Sequence, residues 1–175
     1  MKNFKFVIWL VFVLGFNAAL GMQNEVLQDS RELEWDLWYA IFSIQLAPIV
    51  SCYKVDDSIK KIEELLRQNV NPNSRNFVNS AQGTVPLIYA VSMLDIDLVK
   101  LFLKYKARIN LVDPFIRVTA IHKVLDYLES KTPTVEDTDY MKGLAIFNIL
   151  MVNQADLEIS NLKGETADLR CKNLF

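Results

Sequence analysis

Two stretches decide the fold: Gly83-Thr84-Val85-Pro86-Leu87-Ile88-Tyr89-Ala90 and Arg117-Val118-Thr119-Ala120-Ile121-His122-Lys123-Val124. Each reads as the opening of a helix, and Val85 and Thr119 lie 34 residues apart. A worn third copy, Gly164-Glu165-Thr166-Ala167-Asp168-Leu169-Arg170-Cys171, puts Thr166 a further 47 residues on. Recurrence at such an interval marks a stack of helical repeats, each burying its apolar face on the next. Stacks of this kind usually present a binding surface.

Working outward from Val85, Pro86 suits the first turn of a helix, where its missing N–H costs nothing. Leu87, Ala90 and Val91 follow at helical spacing as one apolar face. After a short turn at Met93-Leu94-Asp95, a second helix is expected over Ile96–Tyr105. Leu98, Leu101 and Phe102 lie on one side of it, and Val99 and Leu103 widen the stripe. It closes at Lys106-Ala107-Arg108-Ile109-Asn110, and an exposed connection around Asp113-Pro114 leads on.

This unit resembles the ankyrin repeat, which opens with Gly-x-Thr-Pro-Leu-His-x-Ala and closes with Leu-Leu, then Gly-Ala-Asp, an apolar residue and Asn. Gly83, Pro86, Leu87 and Ala90 match the opening; Leu101 to Leu103 and Ala107 through Asn110 match the close. Val85 to Ala107 spans 22 residues, the family spacing between these landmarks. The resemblance implies an all-α solenoid of stacked antiparallel helix pairs with projecting hairpin loops.

The third unit keeps Thr119, Ile121 and His122, with Ala120 in place of proline, and closes at Gln154-Ala155-Asp156-Leu157-Glu158. Thr119 to Ala155 spans 36 residues, which implies an insertion of about 14, expected as an exposed loop near Ser130–Asp137. Its second helix is expected over Asp139–Val152, with Leu144, Phe147 and Met151 on the buried stripe. In the first unit, Asp57 or Ser58 can cap a helix carrying Ile59, Ile62, Leu65 and Leu66, which closes at Gln68–Asn73. Its opening matches Trp35–Ala40, supported by Leu37 and Ala40 alone, and Trp35 to Val70 implies a similar insertion of about 13. A fourth unit opens at Gly164 and stops after one short helix. There Glu165, Asp168, Arg170 and Lys172 suit the polar outer face that the end of a stack needs. The expected organisation is a leader over 1–21, a segment over 22–34 and a repeat domain over 35–175. Its units run over about 35–79, 80–113 and 114–160, with a partial cap over 161–175.

Lys2 and Lys5 precede an uncharged apolar run from Phe6 to Phe16, and Ala19-Leu20-Gly21 supplies small residues for cleavage after about Gly21. That reads as a secretory signal peptide, and the expected location is secreted or periplasmic. An uncleaved membrane anchor competes, although the apolar core is only about half of the roughly 20 residues that a bilayer requires. The whole chain has 19 Lys+Arg against 21 Asp+Glu, and cleavage would leave 17 against 21, or −4. With no Lys/Arg cluster, this balance argues against nucleic acid and against an anionic membrane surface once the leader is gone. Export permits disulfides, but Cys52 and Cys171 fall in the first and last units, roughly 25 Å apart at the usual helix spacing. A bridge needs about 7 Å or less between Cα atoms. Both therefore read as small buried side chains.

Candidate chemistry is sparse. His122 is the lone histidine, with Asp126 and Glu129 at i+4 and i+7 on its helical face. The resemblance implies that such a histidine hydrogen-bonds backbone between units. Asp56-Asp57 and Glu136-Asp137 read as charges at helix starts, where the macrodipole favours them. Glu63-Glu64 reads as a solvated face beside Lys60, Lys61 and Arg67. No metal spacing, phosphate loop or nucleophile motif occurs, so no cofactor is expected and the chain reads as non-enzymatic. Trp35, Trp38, Tyr39 and Phe42 share one helical face, as packing or as a partner surface at the end of the stack.

Ankyrin modules bind through loop tips and the exposed face of each first helix. The resemblance therefore places partner contacts at Arg75, Asn76, Phe77, Asp113, Phe115, Arg117, Asn161 and Lys163. Phe77 and Phe115 lead, because an apolar ring on a loop tip needs a reason. The expected function is a monomeric scaffold that binds another protein, in a bacterium exported to the periplasm or beyond, even to a host cell. The alternatives are an envelope-anchored structural protein and an enzyme with a pocket built by the insertions.

Overall fold

The computed structural model describes residues 25–48, 54–75, 84–131 and 137–174, with side chains from residue 31 on. The leader, Cys52, Asn76, Phe77 and Gly83 lie outside the described residues. Among these residues there are seven helices: α1 (Glu25–Leu46), α2 (Val55–Arg67), α3 (Pro86–Ser92), α4 (Ile96–Lys104), α5 (Ala120–Glu129), α6 (Thr138–Val152) and α7 (Ala167–Leu174). The chain divides between Glu32 and Leu33, inside α1, and the stack is the unit Leu33–Phe175.

The helices pack in two rows. α3 lies on α4 and α5 on α6 as antiparallel pairs, while α3 meets α5, α4 meets α6 and α5 meets α7. The first pair joins by side chains. Trp38 and Phe42 of α1 meet the ring of Tyr89 edge-on, at centroid separations of 5.9 and 5.4 Å. Lys104 of α4 reaches Glu63 of α2 at 3.0 Å. One continuous apolar core runs between the rows, from Leu37 and Ile41 through Leu65, Leu87 and Phe102 to Leu125, Ile146 and Ala167.

Local sequence explains each helix and its ends. Pro86 opens α3, and the Asp95 carboxylate accepts the Leu98 N–H to cap α4. Asp137 does the same for α6, accepting from the N–H groups of Asp139 and Tyr140. α2 differs from expectation: it starts at Val55 with Lys54 as N-cap and no side-chain bond there, so Asp56 and Asp57 fall in its first turn.

The second helix of every pair ends alike. Asn69, Lys106 and Gln154 adopt left-handed φ values of 63°, 64° and 64°. The following N–H groups of Val70, Ala107 and Ala155 then bond back to Leu65, Phe102 and Leu150 at 3.2, 2.9 and 3.0 Å. This is the Schellman closure, which satisfies carbonyls that the helix end would otherwise leave open.

Two expectations are corrected. The buried stripe of α6 is Tyr140, Gly143, Ile146 and Leu150, whereas Leu144 and Phe147 are half-buried and Met151 is exposed. Gly143 lets α6 approach α5 closely: an added Cβ would stand 3.0 Å from Leu128 Cδ2 and 3.2 Å from Tyr127 Cδ1, and those side chains would have to give way. The extra residues of the first and third units also lengthen helices rather than make loops alone. α5 and α6 have 10 and 15 residues, against 7 and 9 in α3 and α4. Likewise, the part of α1 inside the first unit runs on from Trp35 to Leu46, and α2 has 13 residues.

Candidate functional site

Five of the six described interaction candidates, all but Arg75, lie on two loops beside α5 and α7 at the C-terminal end of the stack. In the first loop Asp113 is 2% exposed, and its Oδ1 accepts the N–H groups of Phe115 and Ile116 at 2.9 and 3.2 Å. Backbone bonds from Asp113 N to Val118 O, 2.8 Å, and from Arg117 N to Asp113 O, 2.9 Å, close the hairpin. Arg117 takes the left-handed turn position at φ 49°.

The second loop repeats the plan with an amide. Asn161 Oδ1 accepts from Lys163 N and Glu165 N at 2.9 and 3.0 Å, and its Nδ2 donates to Glu165 Oε2 at 3.0 Å. Gly164, at φ 77°, turns the chain, and Ser160 and Thr166 pair across the base.

Asp113 and Asn161, expected as contacts, therefore organise their loops from within. Asp113 in particular is turned away from solvent and offers a partner nothing. What the loops present is apolar: Phe115 is 52% exposed, Ile116 48% and Leu162 64%. Arg117 and Lys163 are exposed beside them. Arg75 is exposed on the loop after α2, remote in sequence from this group. Ile116 and Leu162 escaped the sequence reading, although each adjoins a residue it named. An apolar side chain at the centre of a short polar turn was the available sign.

Behind the tips lies an open groove of about 560 Å³, lined by Ile116, Val118, Leu162 and Leu174 and by polar residues of α5 and α7. Its floor holds an ion-pair cluster. Arg170 Nε and Nη2 meet the two oxygens of Glu129 at 2.8 and 2.7 Å, and Nη2 also meets Asp126 Oδ1 at 2.8 Å. Burial alone would disfavour the guanidinium charge; the two carboxylates outweigh it, led by Glu129, and hold the pKa above its ordinary value. Arg170 was expected on the polar outer face of the cap. Instead it is 8% exposed, because two carboxylates one helical turn apart on α5 make inward burial of a cation favourable.

These are the carboxylates that follow His122 on its helix. The His122 ring is 0% exposed, with Nδ1 2.9 Å from Thr119 Oγ1 and 3.4 Å from Thr119 N. Burial lowers its pKa, opposed by the backbone carbonyls of Glu165 and Ile159 on the adjoining loop. No partner of full hydrogen-bond geometry meets Nε2, so those carbonyls act at longer range. The ring thus ties the start of α5 while facing the next unit, and the enclosed imidazole lacks access to a substrate. Asparagines make a second inter-unit tie: Arg108 N donates to Asn73 Oδ1 at 2.7 Å, and Asp156 N to Asn110 Oδ1 at 2.8 Å.

Trp38 is buried, and Trp35 and Phe42 are half-buried, so most of the aromatic face is packing; Tyr39 turns outward at 53% exposure. Cys171 is a free, half-buried thiol in α7, its pKa raised mainly by burial. Among the described residues no group of acidic, histidine and cysteine side chains could hold a metal ion. Among them too, no helix is long and apolar enough to cross a membrane.

No family model matches the chain. No curated protein matches it either. Solved structures do. The ankyrin repeat domain of Bcl-3, described as a unique member of the IkappaB protein family, superposes with a TM-score of 0.52 at 18% identity. The match covers 66% of this chain and 42% of that one, so this chain spans less than half of that domain. At this identity the likeness shows the fold, and the chain has the ankyrin-repeat fold.

Proposed function

We propose that this protein is an exported interaction module that binds another protein through the loop tips at the C-terminal end of its stack. The observation that carries the reading is the pair Phe115–Ile116. Two adjacent apolar side chains, about half exposed, stand on a hairpin fixed from inside by a buried carboxylate. Exposing them costs solvation, and fixing them removes the ordering entropy that a flexible loop would lose on binding. Leu162 on the next loop extends the patch. The ankyrin-repeat fold suits the role, since its loops project side by side from a rigid stack. The reading is non-enzymatic, because the lone histidine is sealed and its acidic neighbours are tied to Arg170.

The test is affinity capture from the secreting organism or its host, comparing the wild-type chain with Phe115→Ala and Ile116→Ser. Each substitution should weaken capture of a specific partner at least tenfold without lowering Tm. Capture unchanged by both would sink this choice of surface. Export rests on the leader, Lys2 to Gly21, and predicts a mature chain that starts at Met22. Mass spectrometry of the N-terminus reads that directly, and a retained Met1 would favour the membrane-anchored form.

A further inference from the structure

We propose that the groove behind the loop tips takes an extended peptide with a basic side chain flanked by apolar ones, a refinement resting on the interaction reading above. Size comes first: about 560 Å³ is room for a few side chains, and the groove opens to solvent. Chemistry comes next. Ile116 and Leu162, one from each loop, line it at 48% and 64% exposure, so apolar residues of a partner find cover on both sides.

Charge then selects what lies between them. Two floor carboxylates, Asp126 and Glu129, share one guanidinium, which leaves the cluster net negative. Their geometry aims that charge outward. The Arg170 side chain is only 9% exposed, while those of Asp126 and Glu129 are 47% and 39% exposed. Arg170 engages Asp126 through Oδ1, so an incoming guanidinium or ammonium can approach the solvent side of that carboxylate. Of the other charged residues that line the groove, Lys163 and Glu165 offset each other, the Glu165 carboxyl being held below the usual range first by Asn161 and then by Lys163, while Arg117 is exposed on the first loop but does not line the groove. An acidic segment would meet like charge on the floor, and that juxtaposition rejects a wrong partner as strongly as attraction selects a right one.

The full chain would be titrated with two fluorescent heptapeptide libraries, both randomised among apolar residues around a fixed centre. One centre is arginine and the other glutamate. The arginine library should bind at least tenfold more tightly, with a preference that shrinks as salt is raised. Asp126→Asn should weaken arginine-library binding about tenfold and leave the melting temperature near wild type, since Glu129 still holds Arg170 at both oxygens. Ile116→Ser together with Leu162→Ser should weaken it further. Equal binding of the two libraries, or arginine binding untouched by Asp126→Asn at low salt, overturns the proposal. The interaction reading would survive that result if Phe115→Ala still abolished capture of a natural partner.

Discussion

Single residues in left-handed backbone set the closures of this stack. Lys106 sits at φ 64°, where a side chain costs energy that glycine avoids, and it does so on the solvent side. Lys106→Gly should therefore stabilise the protein by about 0.5–1 kcal/mol, after allowing for the greater freedom of glycine in the unfolded chain. For a chain of this size, that raises Tm by roughly 1–4 °C in a thermal melt followed by circular dichroism. An unchanged or lowered Tm would mean that the helix end is held by something other than backbone geometry. Asp113 and Asn161 make the same point for loops: polar side chains that look like contacts in sequence serve as internal hydrogen-bond acceptors. The residues they present, Ile116 and Leu162, are ordinary apolar letters until the loop shape is known.

At the scale of an element, α7 is the informative case. It packs against α5, and Ala167 and Arg170 are its buried residues. Its fully buried apolar residue is Ala167, with Cys171 and Leu174 packed half-buried on the core, and the Arg170 ion pairs add to that attachment. Arg170→Leu removes three charge-assisted bonds and strands two carboxylates, although water reaches both, which discounts the loss. A destabilisation of about 1–3 kcal/mol is expected. Hydrogen exchange should read it as faster amide exchange confined to α7 and the 161–166 loop, with α3 and α4 still protected. Loss of protection spread evenly through the stack would instead show that α7 opens only with the whole. Helix extent is also an element property. The insertions in the first and third units were legible as added length, but their use in longer helices was not, because polar sequence continues a helix wherever one face can pack.

For the molecule as a whole, the sealed His122 couples folding to pH. Burial holds its folded pKa below the ordinary 6.5, so the unfolded chain takes up the proton first as pH falls. Stability from this group is complete above about pH 6.5 and declines below it toward the folded value, by at most about 1.4 kcal/mol per pH unit. Glu63, Asp139 and Glu165 are held below their ordinary values by Lys104, Lys142 and Asn161 respectively, so their contributions fade only in more acid solution. Urea titrations between pH 5 and 8 should show the decline in wild type, and His122→Gln, less stable throughout, should lack its upper part. A flat wild-type profile across that window would place the imidazole in contact with water.

By itself the sequence determined the repeat and the fold: Pro86 and Thr119 at matched helix starts, apolar stripes at helical spacing, and Ala107-to-Asn110 closures of recognisable type. These are local properties, set by backbone preference and period, so a single chain displays them. Tertiary structure alone decided which residues face out. Asp126, Glu129 and Arg170 are 41 or more residues apart in their pairings across α5 and α7, and nothing local tells an exposed carboxylate from one that anchors a cap. The same holds for the groove, whose walls come from two loops and two helices brought together only by stacking. Whether a polar or apolar side chain is a contact or a brace depends on its neighbours in space, and those neighbours are fixed by packing between units.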